Sequence, residues 1–184
     1  MELKKVSPSQ PAIKWALIAL VTSIIITYAF QFLNADPNSA VKYIGFIPLV
    51  VFLFLTQKEY RDLLGGYMTF GEGFLSGFLF AVFLGILSAI FTYLYYAILS
   101  PEMIDKTLAA SQAKMAEQNL SQDQIDKAME ISKKYFSVIA TVAVLFSTAI
   151  FGVIIALIGA AIFKKERSKF DVADTADQTP EPTV

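Results

Sequence analysis

The sequence predicts an all-α integral membrane protein with four transmembrane helices and an extracytoplasmic helical hairpin between helices 3 and 4. Three observations predict this fold class. Of 184 residues, 55% are hydrophobic and only 17% are charged, against a usual charged share of about 25% in soluble domains. The apolar residues fall into runs as long as the about 20 residues that cross a bilayer. The one long charged stretch lies between two of these runs.

Four segments are predicted to cross the membrane, at about residues 13–34, 40–57, 73–99 and 135–163. The first, third and fourth are based on uncharged runs of 21, 28 and 29 residues, at 15–35, 73–100 and 135–163. The second contains only 15, from Tyr43 to Gln57, and includes Pro48. It becomes long enough if its helix begins near Asn38 and Lys42 extends its ammonium group to the interface. A re-entrant second segment is the alternative, and it would move the third loop to the other side of the membrane.

The distribution of lysine and arginine predicts the orientation. With four crossings, nine of these residues lie on the side of both termini and six lie on the opposite side. Because positive residues favour the cytoplasmic side, both termini are expected in the cytoplasm. Lys4 and Lys5 before the first apolar run imitate a secretory signal. The run is longer than the about 7–15 apolar residues of a signal peptide, so an uncleaved anchor is the better interpretation.

Small residues recur every four positions in two of the predicted spans, and residues at this spacing share a helix face. In a membrane, close backbone approach at small residues supplies much of the association between helices. We therefore predict that the two faces pack on each other, with a homodimer through one of them as the alternative. The predicted helix-packing residues are Gly73, Gly77, Ala81, Gly85 and Ala89 in the third span, and Thr148, Gly152, Ala156 and Ala160 in the fourth.

The charged stretch at residues 101–134 is predicted to form the helical hairpin. Ser100 and Pro101 are typical of a helix start. Ser121 with Gln124 forms a capping box, and the helix that it opens is expected to run straight into the fourth span. The apolar stripes of the hairpin are expected to pack on each other, on the bilayer surface or on a partner. Residues 1–170 thus form a single membrane domain, followed by a disordered acidic tail at residues 171–184.

Two missing residue types exclude several kinds of active site. There is no His and no Cys, so the commonest zinc ligand, the commonest general base, disulfides and thiolate nucleophiles are all absent. No catalytic residue, metal site or cofactor is predicted. The formal net charge of −1 gives no reason to expect nucleic acid as a partner. No acidic or basic residue lies deep in a predicted span, whereas proton-coupled carriers and ion pumps usually carry one.

The polar and aromatic residues of the spans are interpreted as structural. Hydroxyl and amide side chains are expected to bond within their own helix or to bridge helices, and not to form a permeation path. Aromatic residues at the span ends, such as Tyr95, Tyr96 and Phe136, are expected to form belts at the headgroup level. The polar residues concerned are Thr22, Ser23, Thr27, Gln31, Ser76, Ser88, Thr92, Thr141, Ser147 and Thr148.

Four short segments together resemble a known family. They are Tyr67–Phe74 and Tyr93-x-Tyr95-Tyr96 at the two ends of the third span, Pro101–Asp105 at the start of the hairpin, and Lys133–Phe136 before the fourth span. Over about residues 10–165 the chain resembles a family of small four-pass inner-membrane proteins of unknown function, found mostly in Bacteroidetes. The resemblance implies a four-helix architecture in a bacterial cytoplasmic membrane. It carries no functional residues.

These observations predict a protein that works by contact and not by catalysis. The leading hypothesis is a scaffold or accessory subunit that acts through its hairpin or its small-residue faces. Its expected partners are the lipid bilayer and either another membrane protein or further copies of this chain. The alternative is a small carrier or channel component for a neutral or amphiphilic solute. An enzyme at the membrane is a third hypothesis, disfavoured by the missing His and Cys.

Overall fold

A computed structural model describes residues 6–33, 40–118 and 121–166, and for residues 40–42 it describes the backbone only. The predicted tail at residues 171–184 and the N-terminal Lys4 and Lys5 lie outside this range. The described residues form seven helical segments in succession. They are α1 (Ser9–Phe32), a 3₁₀ helix (Ala40–Phe46), α2 (Ile47–Leu63), α3 (Phe70–Leu94), a π-helix (Tyr95–Leu99), α4 (Glu102–Glu117) and α5 (Gln122–Phe163).

Three helical stretches are long and apolar enough to cross a membrane: Ser9–Phe32, Phe70–Leu99 and Gln122–Phe163. Their outward faces carry many large apolar side chains, such as Phe146, which is 63% exposed, and Ile162, which is 62% exposed. A surface of this kind is unfavourable in water and matches hydrocarbon. With its 17 residues, α2 rises only about 26 Å, less than the ~30 Å of the hydrocarbon layer.

The second apolar segment differs from its predicted bounds of about 40–57. Its first seven residues form the 3₁₀ helix, and the α-helix begins only beside Pro48, which occupies its first turn and is favoured there. The α-helix then continues six residues past Gln57 to Leu63. It ends before Gly65 and Gly66, whose φ angles of +82° and +86° are in the left-handed region that glycine adopts without strain.

The predicted capping box at Ser121 is confirmed, and a second capping box opens α3 at Thr69. Thr69 accepts a hydrogen bond from the backbone of Glu72, and the Glu72 carboxylate accepts one from the backbone of Thr69. The backbone N–H of Ser121 donates to the side chain of Gln124. The helix that Ser121 opens continues to Phe163, but it is kinked at Tyr135 (φ −115°, ψ 15°), so it does not run straight into the predicted fourth span as expected.

The central helix of the bundle is α3, which packs against α1, α2 and α5. α2 also contacts both α1 and α5 and so fills the groove between them. Within the described residues, α1 and α5 make at most a marginal contact with each other. α4 packs on α5 and on the π-helix.

Contacts near the helix ends define two ends of the bundle. At one end, here called the base, the ammonium of Lys14 in α1 pairs with the carboxylate of Glu59 in α2. Also at the base, Met68 before α3 forms an antiparallel bridge with Lys165 after α5. At the other end, here called the head, Tyr95 Oη donates to Gln31 Oε1 at 3.0 Å, and α4 lies beside the π-helix.

The core lies in the groove that α2 fills. Small residues of α1 face branched and aromatic side chains of α2 and α3, so the three helices approach closely. The buried residues of this cluster are Ala12, Ala16, Ala19, Leu49, Leu53, Phe80, Leu84 and Ala156. The Trp15 ring stacks on Phe52 with centroids 5.7 Å apart, and its N–H donates to Glu59 at 2.6 Å.

Candidate functional site

Small residues of α3 and α5 lie opposite one another along the α3–α5 seam. The facing pairs are Gly73 with Ala160, Gly77 with Ala156, Ala81 with Gly152, and Gly85 with Thr148. A Cβ added to Gly77 would lie 2.9 Å from the Cβ of Ala156, and one added to Gly152 would overlap the Cβ of Ala81. The backbones therefore approach as closely as these residue types allow, which is the usual mode of helix association in membranes.

Ala89, the last small residue of the predicted α3 ladder, lies beyond these four pairs towards the head. It is buried, with 8% of its surface exposed, and it lines a shallow apolar groove together with Thr141 and Leu145 of α5. The seam therefore loosens towards the head, where α3 and α5 are no longer joined by glycine contacts.

Gln57 of α2 enters the seam from the side. Its side chain is fully buried, and Nε2 donates to the backbone oxygens of Gly73 at 3.0 Å and Ala156 at 2.9 Å. A Cβ on Gly77 would lie 2.7 Å from this Nε2, and a Cβ on Gly159 would overlap Oε1. The glycines therefore make room for the amide, and one side chain links the backbones of α3 and α5 to α2.

Neither Gln57 nor Gly159 is among the residues that the sequence predicts for packing. Gln57 stands at the predicted end of the second span, where a polar residue is expected at the interface. The available signal is its chemistry: an amide within an apolar helix usually finds a partner on a neighbouring helix. The identity of that partner depends on the lateral arrangement of three helices, which spacing along one chain does not contain.

A cavity of about 580 Å³ lies nearer the head, between α1, α3 with its π-helical end, α4 and α5. It continues the groove that α2 fills at the base. On α1, the buried stripe Ala12, Ala16 and Ala19 is followed at helical spacing by Ser23 and Thr27, which line the cavity. The volume falls within the about 300–1,000 Å³ of small-molecule sites.

The stripe on α3 changes in the same way. Phe80 and Leu84 are buried in the core, and Ser88, Thr92 and Tyr95 follow on the same face as lining of the cavity. The face that packs against α2 near the base is thus apolar, and its continuation towards the head carries hydroxyl groups. A helix face that served only for packing against α2 would not need to change from apolar residues to hydroxyl residues.

Five of the lining hydroxyls make no hydrogen bond with any described residue, and we call the cavity the hydroxyl pocket after them. They are Ser23, Ser88, Thr92, Ser111 and Ser132. All five are half-buried. Hydroxyls elsewhere in the same helices behave differently: Thr22 donates to Ile18 O and Thr141 to Ser137 O. The free hydroxyls can therefore donate to a bound molecule at no cost in helix hydrogen bonds.

Aromatic rings surround the head side of the hydroxyl pocket. Tyr96 packs edge-on against Phe136 of α5, with ring centroids 4.8 Å apart, and against Tyr95 at 5.1 Å. Tyr95 is buried and also contacts Tyr28 of α1. Two tyrosines predicted for an outer belt thus turn inward, because the π-helix rotates the end of α3. Such π-helical turns are frequent at functional sites.

The chemistry of the hydroxyl pocket is uncharged. None of the described lining residues is acidic or basic. Among the described residues there is also no group of three acidic side chains that could hold a metal ion. The pocket therefore offers hydroxyl donors and acceptors, aromatic rings and hydrocarbon, which suit a ligand without a formal charge.

Comparison with known proteins gives a family. Residues 14–165 match the profile of DUF4199, described as a protein of unknown function. The chain belongs to this family. The match begins at Lys14 in α1 and ends at Lys165, the bridge residue that follows α5, so it contains the seam, Gln57 and the whole hydroxyl pocket. No curated protein and no solved structure shows significant similarity to the chain.

Membership of DUF4199 agrees with the family resemblance read from the sequence. Eight of the ten polar residues interpreted as structural divide into two groups in the structure, while Gln31 accepts from Tyr95 and Thr148 faces Gly85 in the seam. Thr22, Ser76, Thr141 and Ser147 bond to backbone oxygens of their own helices. Ser23, Thr27, Ser88 and Thr92 instead line the hydroxyl pocket, and of these only Thr27 makes a bond back to its helix.

Proposed function

We propose that the protein is a four-crossing membrane protein that binds a small uncharged molecule in the hydroxyl pocket, as a binding or carrier component and not as an enzyme. The observation that carries this proposal is the convergence of five free hydroxyls on a cavity without a charged residue. The membrane is the bacterial cytoplasmic membrane, with both termini in the cytoplasm, on the basis of the family resemblance and the lysine and arginine distribution.

Energetic reasoning supports binding as the reason for the pocket. A buried hydroxyl that has neither water nor a partner costs about 1–3 kcal/mol of free energy, because its hydrogen bonds to water are lost without replacement. Serine and threonine in a helix can avoid this loss by bonding to the carbonyl one turn earlier, as Thr22 and Thr141 do. When several hydroxyls face one cavity and do not bond to their own helix, we expect a ligand or water in the cavity to supply their hydrogen bonds.

Ligand-induced stabilisation tests the proposal. The purified protein, reconstituted in lipid nanodiscs, is heated with a panel of uncharged molecules, both water-soluble and membrane-soluble, each paired with a charged analogue. A ligand at a hundredfold excess over its Kd is expected to raise the Tm by roughly 5–10 °C. The charged analogues are expected to have no effect, because the pocket has no group to pair with them.

Two variants fill the pocket and one serves as the control. Ala143→Phe and Ala140→Leu add volume on the α5 wall, and either should abolish the response to the ligand. Ala113→Leu adds volume on an exposed position of α4 and should keep the response. A response that survives in both filled variants, or no response to any molecule of the panel, would exclude the pocket as the binding site.

The scaffold hypothesis has a separate observation in its favour. α4 buries only Leu108, and the part of α5 that precedes Tyr135 buries only Ile125. These two helices pack on each other and otherwise expose mixed charges, including the pair of Asp105 with Lys133 at 3.2 Å. Crosslinking in the native membrane tests this second candidate. Recovery of contacts within one chain only would count against it.

A further inference from the structure

The ligand of the hydroxyl pocket can be described further from the two walls of the cavity. On the α1–α3 wall, the free hydroxyls of Ser23, Ser88 and Thr92 follow one another along the depth of the pocket. On the α5 wall, the lining from Phe136 to Val144 is hydrocarbon only. From Leu20 to Thr92 the polar groups therefore lie on one side of the cavity and hydrocarbon lies on the other, while Ser111 of α4 and Ser132 of α5 add hydroxyls at the end nearer the head.

The position of the pocket favours a molecule that resides in the membrane. Leu20, at its deep end, is near the middle of the 24-residue α1, about 16–18 Å from either end of the helix. The hydroxyls of Ser23 and Ser88 thus lie at a depth where bulk water is absent. A freely water-soluble polyol would have to leave its own hydration there, and the hydrocarbon wall would leave half of its hydroxyls unpaired.

We infer that the hydroxyl pocket binds an uncharged facial amphiphile: a rigid molecule that carries hydroxyl or carbonyl groups along one face and hydrocarbon on the other. Its polar face lies against Ser23, Ser88 and Thr92, and its apolar face lies against α5. The aromatic rings of Tyr96 and Phe136 close the pocket over the end nearer the head. This inference rests on the proposed function and specifies the class of ligand.

A pair of matched steroids tests the separation of the two faces. Methyl cholate is uncharged and carries three hydroxyls on one face of its ring system, and methyl cholanate has the same skeleton without them. Binding of both is measured by equilibrium titration to the protein in nanodiscs. Methyl cholate is expected to bind about tenfold more tightly, since two or three additional hydrogen bonds distinguish the ligands.

Variants that lack individual hydroxyls show which wall of the pocket binds the polar face of the ligand. Ser88→Ala combined with Thr92→Val should reduce the affinity for methyl cholate about tenfold and leave that for methyl cholanate within twofold. The matched control is Ser147→Ala combined with Thr141→Val, which removes hydroxyls that are bonded within α5. This control should retain the full preference for methyl cholate.

The outcomes separate the two proposals. If the wild type binds both steroids equally, or if the preference survives in Ser88→Ala with Thr92→Val, the facial arrangement is wrong. If neither steroid binds but a water-soluble uncharged molecule stabilises the protein through the pocket, the proposed function stands and the ligand class is wrong. If no uncharged molecule of either kind binds, both are wrong.

Discussion

At the scale of single residues, Gln57 shows how a membrane bundle can be fixed by one polar side chain. Its amide donates to a backbone oxygen of α3 and to one of α5, although both oxygens belong to regular helices. Its own Oε1 has no hydrogen-bond partner among the described residues and lies against Gly159. The two bonds that it donates set the position of α2 along the groove, and α2 in turn closes the base of the bundle.

Replacement of this amide is expected to destabilise the bundle. Gln57→Leu keeps most of the volume and removes both interhelical hydrogen bonds, each worth about 0.6 kcal/mol in membranes and at most about 1.7 kcal/mol. The free energy of unfolding should fall by about 1–3 kcal/mol, as measured by reversible denaturation in mixed micelles. Thr56→Val is the control, because the Thr56 hydroxyl is equally buried but bonds to Phe52 O of its own helix.

Thr56→Val should change the free energy of unfolding by less than about 0.5 kcal/mol, since only a bond within one helix is lost. Equal effects of the two substitutions would mean that the bonds from Gln57 to α3 and α5 do not contribute. In that case the position of α2 would depend on its apolar face alone.

Individual polar residues are the part of the site that the sequence predicts least well. Ser88 and Ser147 look alike in the sequence, as hydroxyls in apolar helices, and both are interpreted there as structural. In the structure, Ser147 bonds to Val144 O, while Ser88 faces the cavity. Both residues are half-buried, and which side of the bundle each one faces depends on the arrangement of the helices, which the sequence of one helix does not contain. The stripes Ala12–Thr27 and Phe80–Tyr95, which change from apolar to hydroxyl residues, are the one sequence signal for the pocket.

At the scale of elements, the α3–α5 seam has a graded tightness that substitutions can measure. A Cβ on Gly152 would overlap Ala81, whereas a Cβ on Gly85 would lie 3.5 Å or more from Leu145 and Thr148, at ordinary contact distance. Both glycines lie within helices, where alanine is intrinsically favoured by about 0.8–1.0 kcal/mol. The same substitution should therefore have opposite effects at the two positions.

Gly152→Ala is expected to lower the free energy of unfolding by about 1–3 kcal/mol, because the helices must separate to admit the methyl group. Gly85→Ala is expected to leave it unchanged or to raise it by up to about 1 kcal/mol. Thermal unfolding in one detergent measures both. Equal destabilisation by the two substitutions would show that the seam is uniformly tight, and a neutral Gly152→Ala would show that α3 and α5 do not meet there.

The elements themselves are predicted well where their signals are local. The capping box at Ser121 needs only residues three positions apart. The kink of α5 at Tyr135 has no such signal, because it lies in a stretch without glycine or proline. The limits of α2 are different. Its α-helix is displaced from the predicted span because Pro48 fixes its start and because Glu59, which hydropathy treats as the end of a span, pairs with Lys14 of α1.

At the scale of the whole molecule, the bundle is closed at the base and open towards the head. α2 fills the groove between α1 and α5 at the base, where Gln57 fixes it to the seam. Towards the head, the described residues place no helix of the bundle in that groove, and α4 covers its end. The hydroxyl pocket is thus a consequence of one helix that is shorter than its three neighbours.

The same arrangement gives the topology that the proposed function needs. The start of α1 and the end of α2 meet at the base through Lys14 and Glu59, while α4 lies at the head. In the proposed topology, α2 crosses the membrane together with the 3₁₀ helix before it, the base is on the cytoplasmic side and α4 is on the outside. The contact between the start of α1 and the end of α2 supports this proposal over a re-entrant α2, which would place these two helix ends on opposite sides of the membrane.

Single-cysteine labelling tests this topology directly, because the chain has no native cysteine. Gln10→Cys, Asp62→Cys and Lys114→Cys each put one thiol at an exposed position: the first two at the base and the third on α4. With a membrane-impermeant maleimide, Lys114→Cys should be labelled in intact cells, and the other two only after the membrane is opened. Labelling of Gln10→Cys and Asp62→Cys from opposite sides, or of Lys114→Cys from the same side as Gln10→Cys, would contradict the four-crossing bundle.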